Sequence, residues 1–171
     1  MVRRLNFMRN FKLLFLPLII LFLAPAAFGC LCEGTTVEKS FKEASAIFSG
    51  KYIRSEYRKG IKSQFEEMNA EHTGKKLDYE VLVYIFESDL WWKGAGTREV
   101  VLVTDQTRRS DGTESVSDCG LGFKPDIKYL IYAYGEGDEF GTGFCTLTKQ
   151  MVKASNDLRI LTRLARPIPA Q

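Results

Sequence analysis

The chain has 171 residues, with 24 Lys or Arg, 21 Asp or Glu, a single histidine and four cysteines. Arg3, Arg4, Arg9 and Lys12 lie in the first 12 positions, so residues 30–171 carry 20 basic against 21 acidic side chains. The basic excess of the whole chain therefore gives no pointer to nucleic acid, and past the leader no basic stripe interleaved with aromatics remains.

Behind the basic start runs LLFLPLIILFLAPAAF, apolar throughout and about 16 residues long where a bilayer span needs roughly 20. It ends in small residues, with Ala27 and Gly29 at the −3 and −1 places of a cut before Cys30. Pro17 and Pro25 interrupt it and no stop-transfer charges follow, so residues 1–29 read as a signal peptide. The 142 residues from 30 to 171 have the size of one domain with its own core.

Cys30, Cys32, Cys119 and Cys145 all lie past the cut, and an even count in an exported chain implies disulfides. A bridge across the one residue between Cys30 and Cys32 strains the required geometry. Both remaining pairings tie the new N-terminus to Cys119 and Cys145, each closing a loop of about 100 residues worth roughly 4 to 5 kcal/mol on chain-entropy grounds. Residues i and i+2 of an extended segment face the same way, so one short strand can be stapled to two neighbours. A four-cysteine zinc site is the rival use of these residues. Structural zinc favours C-x2-4-C knuckles, whereas the later two cysteines stand alone, so we expect no metal and no cofactor of the chain's own. A lipoprotein is a second reading of the junction: Ala27-Phe28-Gly29-Cys30 is an imperfect lipid-attachment box. A lipid on the Cys30 thiol excludes its disulfide, and an acylated amine excludes metal chelation.

From Thr35 a short helix is expected, with Thr35 and Glu38 at capping-box spacing and Val37, Phe41 and Ala44 along one face. AIFSGKYIRSEYR (46–58) and DYEVLVYIFES (78–88) read as strands, the second with Tyr79, Val81, Val83 and Ile85 on one side. The polar stretch 59–76 between them reads as an exposed, mobile hairpin extension. After the turn KGAG, REVVLVT (98–104) is a third strand and residues 104–120 a polar loop ending at Cys119. IKYLIYAYG (127–135) and FGTGFCTLT (140–148) are a fourth and fifth strand joined by the Gly-rich GEGDE. Five such strands suggest a small barrel. Residues 155–165 form an amphipathic helix across it, capped by Ser155 or Asn156, with Leu158, Ile160, Leu161 and Leu164 apolar. The tail RPIPAQ is rich in breakers.

Enzymatic patterns are weak. His72 is the only histidine and lies in the charged 59–76 stretch without a nucleophile or metal ligands beside it, so it reads as a surface residue. Glu66, Glu67 and Glu71 read as a solvated helix face. Gly94 and Gly96 mark a turn and cradle no phosphate. Adjacent strand residues point opposite ways, so at least one of Trp91 and Trp92 belongs to the core. Tyr52, Tyr57, Tyr132 and Tyr134 are candidates for a sugar-binding strand face, with most of them expected in the core.

In order along the chain stand Cys30-Leu31-Cys32, AIFSGKY (46–52), YEVLVYIFES (79–88) running to Trp92-Lys93-Gly94, VVLVT (100–104), Cys119-Gly120-Leu121-Gly122-Phe123, YLIYA (129–133) and Cys145. With these residues the chain resembles the netrin-like domain family, and within it the N-terminal domain of the tissue inhibitors of metalloproteinases. The resemblance covers most of residues 30–148. It implies a mainly β fold, a five-stranded OB-fold-like Greek-key barrel with flanking short helices, and the pairings Cys30–Cys119 and Cys32–Cys145. The inhibitors' third bridge and second domain are missing, so the chain looks like a short single-domain form.

The resemblance also implies a mechanism. The mature Cys30 would place its α-amino nitrogen and carbonyl oxygen on the zinc of a partner protease. Leu31 would enter the adjoining pocket, and Cys32 with the 115–118 loop, Ser117 and Asp118 included, would flank it. Glu33-Gly34 departs from the family, which has apolar residues and a proline there, and so does Asp118 beside the bridge. The expectation is thus a secreted or extracytoplasmic, monomeric binding protein and no enzyme. Its partner would be a zinc metalloprotease or another extracytoplasmic protein, with no nucleic acid and with membrane contact only through a lipid on Cys30. The other reading is a structural or envelope-associated module without inhibitory activity.

Overall fold

The computed structural model describes residues 30, 32–74, 78–116, 119–136 and 139–171. The expected leader 1–29, and Leu31, Ser117 and Asp118, lie outside the described residues. In chain order the elements are α1 (Val37–Glu43), β1 (Ala46–Arg58), α2 (Gln64–Thr73), β2 (Tyr79–Lys93), β3 (Glu99–Arg109) and β4 (Glu114–Ser115). There follow β5 (Lys128–Glu136), β6 (Glu139–Gly141), β7 (Lys149–Gln150), a 3-10 turn (Met151–Lys153), α3 (Ser155–Leu164) and β8 (Ile168–Pro169).

The fold is mainly β. β1 pairs antiparallel with β2 and with β5, β2 with β3, and β5 with β6, while β3 and β6 run parallel. These pairings close a ring of five strands, β1-β2-β3-β6-β5. Strand alternation sorts the side chains into two clusters. Phe48, Phe86, Trp91, Leu102 and Ile131 turn inward with half-buried Phe140 of β6, so all five strands fill the ring. Their neighbours Ile47, Trp92, Leu130 and Tyr132 turn outward and are covered by Val37 and Ala44 at α1 and Leu161 of α3. Both tryptophans are therefore core, on opposite faces, as adjacent strand positions require. The indole N–H of Trp92 has no partner among the described residues.

Several boundaries differ from the sequence reading, each for a physical reason. Thr36 is the N-cap of α1, its hydroxyl accepting from Lys39 N at 3.2 Å, while Thr35 Oγ1 lies 3.1 Å from Ser40 Oγ instead. β2 runs five residues past Ser88, because the Ser88 hydroxyl accepts from Trp91 Nε1 at 2.9 Å and donates to the Thr97 carbonyl. β3 extends to Arg109 through the polar TDQTRR, whose side chains find partners across the sheet and on α2. The fifth strand is only three residues long. Beyond Gly141 the hydroxyls of Thr142, Thr146 and Thr148 bond one another and the backbone, so this stretch turns rather than pairs. The tail is no loose end: Leu90 pairs with Pro169 and Trp91 with Ile168 on the edge of β2, and Gln171 N donates to Gly96 O.

The 59–76 stretch holds a helix, α2, over Gln64–Thr73. Ser63 caps α2, accepting from Glu66 N. Glu66 is no solvated residue: it is buried, taking hydrogen bonds from Thr107 Oγ1 at 2.8 Å and Arg109 Nη2 at 2.9 Å. At the other helix, α3, the N-cap is Ala154 with no side-chain bond, in place of Ser155 or Asn156.

Candidate functional site

The candidate site is the stapled segment that holds Cys30 and Cys32. Cys30 is bonded to Cys119 and Cys32 to Cys145, with Cα–Cα distances of 5.8 and 5.1 Å, and these are the pairs the resemblance implies. The segments that receive the two bridges are themselves joined, since Phe144 N donates to Cys119 O at 3.1 Å. All four cysteines thus form one patch at the surface, where Cys30 is half-buried and Cys32, Cys119 and Cys145 are exposed.

Three local devices fix that patch to the barrel. Behind Cys119 the chain is anchored by Phe123, whose ring packs among Tyr52, Tyr84, Phe86 and Tyr129 with centroids 4.9 to 6.1 Å away. Aromatic pairs of this kind favour edge-to-face geometry, and three of these four are T-shaped. Next to it Lys124 N donates to Tyr129 Oη at 2.9 Å. Ahead of the cysteines' far side, α1 follows the N-terminal segment and is held at its C-terminal end by Lys93, whose ammonium donates to the carbonyls of Phe41 and Lys42 at 2.9 and 3.0 Å. A cation at a helix C-terminus also meets the favourable end of the helix dipole. Gly94 follows with φ +110°, and the ring of Trp91 lies against it, which explains the glycine of Trp92-Lys93-Gly94.

Exposed apolar side chains border the cysteines. Phe144 is 59 % exposed, next to bridged Cys145, and Val116 is 63 % exposed at the end of β4. The sequence reading missed both. The strand expected over 140–148 takes in Phe144, and the only available signal of its exposure is its position beside a bridged cysteine. Beside the patch runs a groove of about 510 Å³ bounded by Cys119, Thr104, Gln106, Tyr84, Tyr134 and Thr142. Burial, and then the neighbouring phenols Tyr52 and Tyr57, push the Tyr84 hydroxyl above its ordinary range. Among the described residues Asp105 is the one charged residue of the lining.

The remaining sequence candidates separate clearly. Tyr52 and Tyr132 are buried and present no face to a sugar. Tyr134 is half-buried on the groove, and Tyr57 bonds Glu114 and Gln106 with the Arg108 guanidinium 4.0 Å above its ring. His72 is exposed at the end of α2, far along the sequence from any cysteine. Among the described residues no cluster of three His, Cys, Asp or Glu is placed to hold a metal ion.

Two disulfides fit an extracytoplasmic location. Among the described residues no helix is long and apolar enough to cross a membrane. No family model matches this chain, and no curated protein matches it.

Proposed function

We propose that the chain is an exported netrin-like domain of OB topology that acts by binding another protein, its sharpest activity being inhibition of a zinc metalloprotease through Cys30. The observation that carries this reading is the double staple, which seats Cys30 and Cys32 side by side on an exposed patch. The ring order, antiparallel except at β3 and β6, supports the OB assignment.

On this reading the α-amino nitrogen and carbonyl oxygen of Cys30 chelate the partner's zinc. An α-amine has a pKa of about 7.7 to 8, low enough for zinc to displace its proton near neutral pH. A chelate built from one residue loses little freedom on binding when that residue is bridged and the next residue but one is bridged as well. Leu31 fills the neighbouring apolar pocket, a burial worth about 1.5 to 3 kcal/mol. Cys32, Ser117 and Asp118 line the flanks, and Phe144 and Val116 extend the contact. The function is that of a binding protein, not an enzyme.

The test is inhibition of a panel of zinc endopeptidases by protein beginning at Cys30, against protein with one alanine left before it. Inhibition by the first and its loss in the second is the expected result, with both forms equally folded. Equal inhibition by the two, or none by either, sinks the mechanism.

A second reading, a module whose bridges serve stability alone, is favoured by exposed Glu33 and Gly34 directly behind the cysteines, where the inhibitors are apolar. Its lipid-anchored form requires the Cys30 sulfur that the bridge to Cys119 uses, so intact mass before and after reduction separates the two.

A further inference from the structure

Charge is divided unevenly along the sequence. Residues 30–148 carry 15 basic and 20 acidic side chains, whereas residues 149–171 carry five basic and one acidic. That one acid, Asp157, is buried and accepts from Tyr132 Oη at 3.2 Å and pairs with Lys149 at 2.9 Å. It therefore neutralises nothing on the outer side of α3.

The arginines make the contrast sharper. Arg54, Arg58, Arg98, Arg108 and Arg109 of the barrel each pair with a carboxylate. Arg159, Arg163 and Arg166 are exposed and pair with none among the described residues, and neither does exposed Lys153. Arg159 donates only to Asn156 Oδ1 of its own helix, at 2.9 Å. With Asp157 and Leu161 turned into the protein, the 3.6-residue period puts Arg159 and Arg163 together on the solvent side, one turn apart. Arg166 follows just past the helix end. α1, which packs on α3, offers exposed Glu38 and Glu43 against Lys39 and Lys42, so it leaves the balance unchanged.

The turn that leads into α3 carries the most exposed large apolar side chain of the described residues. Val152, in the 3-10 turn next to Lys153, is 86 % exposed, and Leu164 beside Arg163 is 42 % exposed. A soluble polyanion gains from the cations alone. A bilayer surface offers phosphate oxygens to the cations and an apolar boundary to Val152.

We propose that the outer face of α3 with the preceding 3-10 turn is a docking surface for an anionic phospholipid bilayer. Lys153, Arg159, Arg163 and Arg166 meet the headgroups and Val152 enters the interface, while the acid-rich barrel faces away from the membrane. This inference is independent of the zinc-directed reading of Cys30.

The experiment is flotation of the exported, disulfide-bonded protein with vesicles of phosphatidylglycerol and phosphatidylcholine in equal parts, against phosphatidylcholine alone. Binding to the anionic vesicles only, weakening as salt rises, is expected. Each cation near such a surface is worth about fivefold in affinity, so Arg159→Glu with Arg163→Glu lowers binding about 25-fold or more. Val152→Asp lowers it several-fold without touching a cation. These side chains are exposed, so the unfolding midpoint stays put. Were the double reversal to unfold α3, the neutral pair Arg163→Gln and Arg166→Gln reads the same loss. No flotation of the unmodified protein, or full flotation of the folded reversal variant, overturns the proposal. So does tight binding to heparin with no binding to vesicles, which makes the face a site for soluble polyanions.

Discussion

The carboxylate of Glu66, buried near the start of α2, is gripped by the guanidinium of Arg109 on β3, which reaches it through both Nε and Nη2 at 3.2 and 2.9 Å. This pair, with Thr107 Oγ1, is what fastens a helix of largely polar sequence to the barrel. Glu66→Ala leaves the guanidinium and a buried hydroxyl without their acceptor. Arg109 is 29 % exposed and recovers part of its solvation, so a loss of about 2 to 4 kcal/mol is expected from urea denaturation. Glu67→Ala, on the exposed side of the same helix, changes stability by about 0.5 kcal/mol or less.

The two disulfides are not energetically independent. Removing both opens loops of 89 and 113 residues. With one bridge intact, however, the other closes only a short circuit through it, of about 28 residues, which chain entropy values at about 3 to 4 kcal/mol. Cys30→Ser with Cys119→Ser should cost about that amount, and adding Cys32→Ser with Cys145→Ser about 4 to 5 kcal/mol more. Guanidinium denaturation of the three forms checks this; equal increments would contradict it.

Gly94 tolerates no side chain. A Cβ there would lie 2.6 Å from Cζ3 of Trp91, on a backbone at φ +110°. Gly94→Ala is expected to cost about 2 to 4 kcal/mol, through strain and displacement of a core ring. The control is Gly122→Ala, where an added methyl meets nothing within 4 Å. Thermal unfolding followed by tryptophan fluorescence should separate the two variants clearly.

Tyr132 gives the fold an alkaline limit. Burial, and then the Asp157 charge it donates to, raise its hydroxyl well above the ordinary phenol range. An unfolded chain releases this proton near pH 10 and the folded chain does not, so the unfolded state binds fewer protons there. Stability from this group is complete below pH 10 and falls as pH rises beyond it. Tyr132→Phe should flatten the decline between pH 10 and 11.5 in denaturation series, while costing about 1 kcal/mol at neutral pH for the lost hydrogen bond.

How far these features could be read from the sequence depends on how locally they are determined. The span of β1 followed from its composition alone, and the inward and outward alternation of Trp91 and Trp92 followed from strand period. The docking of α2 on the barrel was hidden because its lasting contact, Glu66 with Arg109, joins positions 43 apart in the chain, and no helical period marks the segment. β3 looked finished at Thr104 for a related reason: TDQTRR is polar, and its partners Glu66 and Glu80 belong to other elements. At the stapled patch strain left two pairings of the cysteines open, and the observed one was implied by the resemblance alone. Phe144 was not legible, because exposure at one strand-like position depends on where Gly141 and the threonine-bonded turn end the pairing of β6.

The wide separation of bridged cysteines also orders events in time. As the chain is synthesised, Cys30 and Cys32 appear well before Cys119, and until Cys119 follows the only other thiol in the chain available to either is its close neighbour. A bond across that single residue is strained and readily exchanged. Correct oxidation must therefore wait for the stretch that supplies β5 and β6, which makes the segment holding Cys30 and Cys32, although made early, among the last parts of the molecule to be secured. Oxidative folding of this chain thus depends on thiol–disulfide exchange more than on a fast oxidant.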